Sequence, residues 1–270
     1  MNADYSIIKY PRTPHLEGSR LQPGDEDLSQ IPFAEIAGRH IVIEEKIDGA
    51  NAAVSFNPEG ELLLQSRGHY LTGGYRERHY NLFKQWAGIH RDALWNVLGC
   101  RYIMYGEWMY AKHSIYYDAL PHYFMEFDIL DRQTDRFLDT PSRRAITKNL
   151  PIRSVPVLAE GSFARQEDVL RHLGDSRFIT PEHIAHLRAA AGREKLDPER
   201  ICRETDAART MEGLYIKVEE GGEVVERVKF VRASFLQTVE ESKTHWLERP
   251  IVPNALRVPV DALFMPEMED

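Results

Sequence analysis

Only two cysteines, Cys100 and Cys202, occur in 270 residues, and they stand at no metal-ligand spacing. That removes a disulfide framework and a cysteine-built zinc site from consideration, and a reducing cytoplasm is the expected compartment. No apolar run approaches the roughly 20 residues that span a bilayer. The first ten residues, Met1 to Tyr10, lack the basic-then-apolar layout of a secretion signal. Neither a membrane span nor a leader is therefore expected. Internal repeats and low-complexity linkers are absent too. Nor is there an excess of basic charge: the formal net charge is −8, which does not announce the phosphate-neutralising surface of a non-specific nucleic-acid binder.

What remains is ordinary for a globular chain with a sizeable core, at 43% hydrophobic and 28% charged residues. Basic residues still cluster locally, at Arg76-Glu77-Arg78-His79 and from Arg143 and Arg144 to Lys148. Solvated helix faces account for such clusters as well as ligand binding does. The histidines His69, His79, His113 and His122 form no zinc spacing. Cys100, near the end of an apolar helix, is expected to be buried and inert.

The informative stretch runs from Glu44 to Asn51, Glu-Glu-Lys-Ile-Asp-Gly-Ala-Asn. Ile41-Val42-Ile43 leads into it and Ala52 to Phe56 leads away; both read as strands, being rich in β-branched and aromatic residues. Gly49 between them marks a turn or a close backbone approach. Lys46 thus falls at a strand edge, a setting in which lysine becomes a nucleophile. Alone, Lys-x-Asp-Gly is a short string that also describes a hairpin with a solvated Lys–Asp pair.

Along the rest of the chain, residues 1–40 read as an irregular lead-in with one short helix near Phe33 to Ala37. Asn57-Pro58-Glu59-Gly60 closes a hairpin between 52–56 and 61–66. A helix of about 15 residues follows the Gly73-Gly74 loop, with Tyr80, Phe83, Trp86 and Ala87 as its core stripe. Strands are expected at Tyr102 to Glu107, Pro121 to Ile129, Gly213 to Glu219 and Val224 to Val231, the last two joined by Glu220-Gly221-Gly222. Helical character covers 141–150, 163–173, 180–191 and 197–209, with Thr180 as a cap and Pro181 in the first position. A last helix is expected at 233–247. This order predicts an α+β fold with largely antiparallel sheets flanked by helices.

Five separated pieces share one chemical plan: Lys46-Ile47-Asp48-Gly49, Ser66-Arg67-Gly68, Gly106-Glu107, Glu212 to Lys217, and Arg227-Val228-Lys229. In order and approximate spacing they resemble the covalent nucleotidyltransferases, the polynucleotide ligases and mRNA capping enzymes. The strings Glu-Lys-Ile-Asp-Gly-Ala-Asn and Phe127-Asp128-Ile129 are most similar to ATP-dependent RNA ligases, particularly the phage-type branch that seals nicks in duplex RNA. The resemblance spans about residues 40–232. It implies a nucleotidyltransferase (adenylation) domain over 1–235, with a nucleotide pocket among the sheets. Residues 236–270 are then a short helical extension, because the 41 residues after Lys229 (270 − 229) are too few for an oligonucleotide-binding barrel. DNA ligases and capping guanylyltransferases, the alternatives, usually add that barrel. A non-catalytic RNA-binding relative is a further alternative.

The resemblance also implies roles. Lys46 is the nucleophile that takes AMP from ATP, its pKa depressed by burial and by neighbouring cations, Lys229 or a metal ion. Glu45 and Asp48 shape the nucleotide pocket, Asp48 either orienting Lys46 and contacting sugar and metal waters or capping the turn at Gly49. Arg67 binds a phosphate or the ribose. Glu107 and Glu212 hold ribose hydroxyls and the water ligands of Mg²⁺ or Mn²⁺. Phe127 either stacks on adenine or belongs to the core. Lys217, Arg227 and Lys229 bring positive charge to the triphosphate, with Arg227 departing from the usual lysine. Asn51 aligns RNA ends. The implied partners are RNA bearing 5′-phosphate and 3′-hydroxyl ends, with an end-healing kinase or phosphatase supplying such ends. Tyr110, Lys112 and His113 are candidates to face substrate beside the Glu107 strand.

Overall fold

The computed structural model describes residues 6–21, 25, 28–235 and 250–265. The helix expected at 233–247 therefore lies almost entirely outside the described residues. In chain order the strands are β1 (His15–Leu16), β2 (Gln30–Ile31), β3 (His40–Lys46), β4 (Ala50–Phe56), β5 (Leu62–Ser66), β6 (Tyr102–Trp108), β7 (Phe124–Asp131), β8 (Arg136–Phe137), β9 (Arg153–Ser154), β10 (Val157–Ser162), β11 (Gly213–Glu220) and β12 (Glu223–Val231). The α-helices are α1 (Asn81–Ile89), α2 (Arg91–Leu98), α3 (Thr140–Thr147), α4 (Gln166–Leu170), α5 (His183–Arg193) and α6 (Pro198–Arg203).

Two sheets result, one ordered β10-β3-β11-β12-β1-β2 and the other β5-β4-β6-β7-β8, with β9 beside β7. The long pairs are antiparallel, and each parallel pair has a two-residue strand as at least one partner. Strand alternation divides the residues of each sheet between two faces. From the first sheet Ile41, Ile43, Leu214, Ile216 and Val218 pack outward with Leu16, Phe33, Ile36 and Val169. From the second, Ala52, Val54, Phe56 and Met104 pack outward under Phe83, Trp86, Leu94 and Leu98 of α1 and α2. With both outer faces covered by apolar clusters, the inner faces are free to carry charge.

The expected hairpins and the strands at Tyr102, Gly213 and Val224 are present. The single helix after Gly74 is not: residues 75–80 form a 3₁₀ turn, and the chain bends again at His90 between α1 and α2. His90 Nε2 lies 2.7 Å from the Leu263 carbonyl, a contact the local periodicity does not encode. The aromatic stripe is nonetheless core, with Phe83, Trp86 and Ala87 fully buried. Cys100 corrects expectation: α2 stops at Leu98, Gly99 turns the chain at φ +48°, and Cys100 is left exposed. Thr180 Oγ1 accepts from Glu182 N at 3.3 Å, but the helix does not begin at Pro181 as expected. Buried Asp118 takes both the Thr180 backbone N–H (2.8 Å) and its hydroxyl (2.5 Å), so α5 starts later, at His183. Aspartate caps do open α3 and α6, where Asp139 and Asp197 accept from first-turn amides and a proline follows. Strand β10 was not expected; it completes the β3 edge of the first sheet.

Candidate active site

Lys46 is the last residue of β3, and the register pairs it with Gly213, so Glu212 arrives beside it from the next strand. The Lys46 Nζ–Glu212 Oε1 distance is 2.7 Å, with Glu212 buried and Lys46 22% exposed. Gly213 must be glycine here, because a Cβ would stand 2.0 Å from the Phe230 carbonyl oxygen. Glu107 comes from β6 of the opposite sheet, directly across from Asn51 on β4. Gly49 passes over this pair: a Cβ there would meet Met109 Sδ at 2.6 Å and Glu107 Cγ at 2.9 Å. The glycine of Lys-x-Asp-Gly is thus demanded by close approach rather than by a left-handed turn.

Asp48 is tied to a neighbouring loop rather than capping the turn at Gly49, and its charge acts on Lys46. Its carboxylate accepts from the backbone N–H groups of Ser114 (2.7 Å) and Ile115 (2.9 Å), and its own N–H donates to Tyr117 Oη (2.9 Å). It ties the loop after Lys46 to residues 113–117, with His113 Nδ1 3.8 Å from its second oxygen.

Charge on Lys46 corrects the expectation of a depressed pKa. Burial pulls it down, but Glu212, then Glu107 and Asp48, outweigh burial and hold the ammonium above its ordinary value. Burial pushes Glu107 the other way, up to about 8, with Glu212 and Asp48 adding to it against the pull of Lys46. Lys229 is lowered by burial and by the charge of Lys46, in spite of Asp25. Glu212 is thus the main group favouring the ammonium form of Lys46.

Lys229 lies one row further along β12, paired in register with Tyr215. Its ammonium is bonded to Asp25, which also meets Arg12 at 3.1 Å and His15 Nε2 at 3.2 Å. These contacts hold the Asp25 carboxyl at about 2 against the effect of burial. Nothing in the irregular lead-in signalled Asp25, because its partner is 204 residues away.

Lys217 and Arg227 are not brought to Lys46. They belong to a buried network deeper between the sheets: Lys217 Nζ meets Glu44 Oε2 at 2.8 Å and Asp128 Oδ1 at 3.1 Å, and Arg227 lies 3.6 Å from Asp128. Arg143 of α3 closes it, donating to Glu44 at 2.5 Å and to both oxygens of Glu126 at 3.2 Å. Tyr10 Oη donates to Asp128 at 2.5 Å. Glu44, Glu126, Asp128 and Arg143 were missed by sequence reasoning; the available signal was acidic residues at alternate positions inside strands whose other residues are apolar.

Of the remaining expected residues, Phe127 is half-buried, edge-on to Tyr10 at 5.0 Å between ring centres. Arg67 is exposed and follows β5 immediately after the Ala52–Ser66 pair, on the Asn51 side. Glu45 is buried, and burial lifts its carboxyl to about 7 against Ser176 and Arg177. Its Oε1 and the Asn51 Oδ1 are buried without a hydrogen-bond partner among the described residues. Among the described residues no group of three or more His, Cys, Asp or Glu side chains stands together as a metal site. No helix among them is long and apolar enough to cross a membrane.

The protein-family description "RNA ligase" matches residues 39–231, which contains every strand of this site. Structures of Naegleria gruberi RNA ligase superpose on the chain. A mutant with ATP and Mn gives a TM-score of 0.53 at 15% identity, over 86% of this chain and 58% of that one. A form with pyrophosphate gives 0.53 at 16%, over 87% and 58%. A mutant with AMP and Mn gives 0.55 at 14%, over 88% and 59%. The present chain thus spans under three fifths of the length of these structures. A comparison with curated proteins finds no match.

Proposed function

Because this chain belongs to the RNA ligase family, we propose that it is an ATP-dependent RNA ligase working through a lysyl–AMP intermediate on a nucleotidyltransferase fold. The observation that carries the reading is the convergence of Lys46 and Glu212 from one sheet with Glu107 from the other, at the end of β3. In the first step Lys46 Nζ loses its proton and attacks the α-phosphorus of ATP. The P–N bond forms as the bond to pyrophosphate breaks. A 5′-phosphate on RNA then displaces Lys46 from the phosphorus, and a 3′-hydroxyl displaces AMP.

Each side chain has a place in this scheme. Glu45 and Asp48 border the nucleoside, the unpartnered Oε1 of Glu45 being free to accept from a base amino group. Phe127 is the half-buried ring that would stack on adenine. Arg67 and Lys229 supply positive charge to phosphates, Lys229 after exchanging its Asp25 partner. Lys217 and Arg227 act from the buried network, fixing the strands that carry Glu212 and Lys229. Glu107 and Glu212 offer the hard oxygen donors that suit Mg²⁺ or Mn²⁺, a cation that keeps waters and phosphate oxygens as its other ligands. Bound there, the cation would supply charge neutralisation, offsetting the carboxylates that hold Lys46 protonated.

The scheme extends to substrate and compartment. The substrate is RNA with 5′-phosphate and 3′-hydroxyl ends at a nick, prepared by an end-healing kinase or phosphatase, in a cytoplasmic setting that keeps Cys100 and Cys202 reduced. The adenylation domain occupies 1–235 and the extension 236–270. Residues 250–265 of that extension brace the active-site loops, Asn254 accepting from Tyr117 N (2.9 Å) and donating to the Met109 carbonyl (2.7 Å).

Incubation with radiolabelled ATP and a divalent cation, followed by denaturing electrophoresis, tests the reading. The wild-type protein retains label and Lys46→Ala retains none. Asn51→Ala keeps the label but seals a pre-adenylylated nick slowly. Labelling of Lys46→Ala, or a preference for GTP, overturns it.

A further inference from the structure

The site leaves one surface feature unused, on the Asn51 side. Tyr75 is 78% exposed, the most exposed large hydrophobic side chain among the described residues. An exposed tyrosine is unremarkable by itself. This one carries Arg78 over part of its surface: the guanidinium carbon sits 4.6 Å from the ring centre and Nη1 donates to Tyr75 Oη at 2.7 Å.

The pair is held out from the body by a fixed base. Gly73 and Gly74, at φ +115° and +122°, turn the chain outward, and the 3₁₀ turn Tyr75–Tyr80 begins at once. Buried Glu77 receives Gly73 N at 2.8 Å and Lys84 Nζ at 2.6 Å, so its charge is spent internally. At the far end of the same turn, Tyr80 is buried and its Oη donates to the Asn51 carbonyl at 3.2 Å. Five residues of 3₁₀ geometry place Tyr75 about 10 Å from Tyr80, roughly three base steps of a stacked strand.

Charge points to the same partner. In a chain of net charge −8, the stretch from 67 to 84 carries Arg67, Arg76, Arg78 and Lys84 against Glu77 alone. Aromatic faces interleaved with arginine on a basic surface are the arrangement that takes unstacked nucleobases and their phosphates.

We infer that Tyr75 and Arg78 form a stacking shelf for an RNA base a few nucleotides from the break, fixing the strand that reaches Asn51 and Glu107. This rests on the RNA ligase reading for the identity of the polymer. The base lies on the open face of the tyrosine ring, and Arg78 faces the adjoining phosphate. The arrangement gives affinity without base identity, since every base has a π-face.

Nicked RNA duplexes carrying 2-aminopurine at successive positions on either side of the break test the inference. Stacking on Tyr75 quenches the fluorophore at one or two adjacent positions on binding. Tyr75→Ala abolishes that quench and weakens nick binding by roughly five- to 150-fold, while Tyr75→Phe keeps both. Wild-type self-labelling by ATP, which needs no RNA, is recorded separately. If labelling fails but the Tyr75-dependent quench is present, the ligase reading falls and the shelf stands. If labelling succeeds but no position is quenched, or the quench survives Tyr75→Ala, the shelf is refuted.

Discussion

Replacing Glu212 by glutamine should move two properties of Lys46 in opposite directions. Glutamine keeps the shape and a hydrogen-bonding oxygen for the Lys46 ammonium but removes the charge. At 2.7 Å, two unit charges attract by about 1.5 kcal/mol at the dielectric constant of water and by about 6 kcal/mol at an effective value of 20. The lower figure is the safer one for a lysine that is partly exposed. It corresponds to roughly a tenfold rise in the population of neutral amine at a given pH. Glu107 acts on Lys46 less strongly than Glu212 does, and burial raises its own carboxyl, so it offsets the lost charge only in part. The amine of Glu212→Gln should therefore react about ten times faster than wild type with a small acylating reagent such as acetic anhydride in the absence of nucleotide. Mass spectrometry of the peptide containing Lys46 reads this rate. Self-labelling by ATP should fall in the same variant, because the oxygen donor set for the cation has lost a charge. Unchanged acylation would refute the claim that Glu212 holds Lys46 protonated. Acylation and self-labelling falling together would show instead that Lys46 had been displaced.

Arg143→Met leaves Glu44 and Glu126 buried without their shared partner, and a loss of about 3–5 kcal/mol is expected; a shift in urea midpoint equivalent to less than 1 kcal/mol, on the order of a surface change, would contradict the network as drawn. Glu45 carries a pH signature. Burial, opposed by Ser176 and Arg177, raises its carboxyl from 4.5 to about 7, so its stabilising contribution is complete below 4.5 and is lost as pH rises through 7. Glutamine cannot ionise, so the melting temperature of Glu45→Gln should gain on wild type between those pH values and hold a constant lead above them. A variant that loses ground to wild type as pH rises from 4.5 to 7 would reverse the assignment.

Much of the site was legible because its chemistry is local in sequence. Lys46, Asp48 and Gly49 are neighbours; strand periodicity gives the strands at Glu107 and 213–231, and the resemblance to the nucleotidyltransferases is what groups Glu107, Glu212 and Lys229 with Lys46. The register then did the rest, pairing Lys46 with Gly213 and Asn51 with Glu107. What was not legible depends on separation. Asp25 reaches Lys229 across 204 residues, and Arg143 reaches Glu44 across 99. Strands β1 and β10 have no clear pattern of their own and form where the longer β12 and β3 offer them an open side, and β2 then adds to β1. The protonation of Lys46 depends on separation in the same way. Burial was readable from the apolar run before it, but the number and sign of the charges converging on it came from three separate strands and loops.

The same arithmetic explains why this fold places its charged layer between two sheets rather than on a surface. Glu44 and Lys46 share one face of β3, two residues apart, yet meet different fates. Glu44 is fully buried and is met by Lys217 and Arg143 at 2.8 Å and 2.5 Å, so the low local dielectric strengthens a pair that is already complete. Lys46 sits at the mouth, where Glu212 is its close partner and the other carboxylates act from further away. A complete pair resists change and a surplus of negative charge invites a cation. The depth of the cleft thus converts one repeated pattern, acid and base at alternate strand positions, into a rigid floor and a reactive rim. Substitutions in the floor should act on stability and those at the rim on chemistry, which is the division that Arg143→Met and Glu212→Gln are chosen to separate.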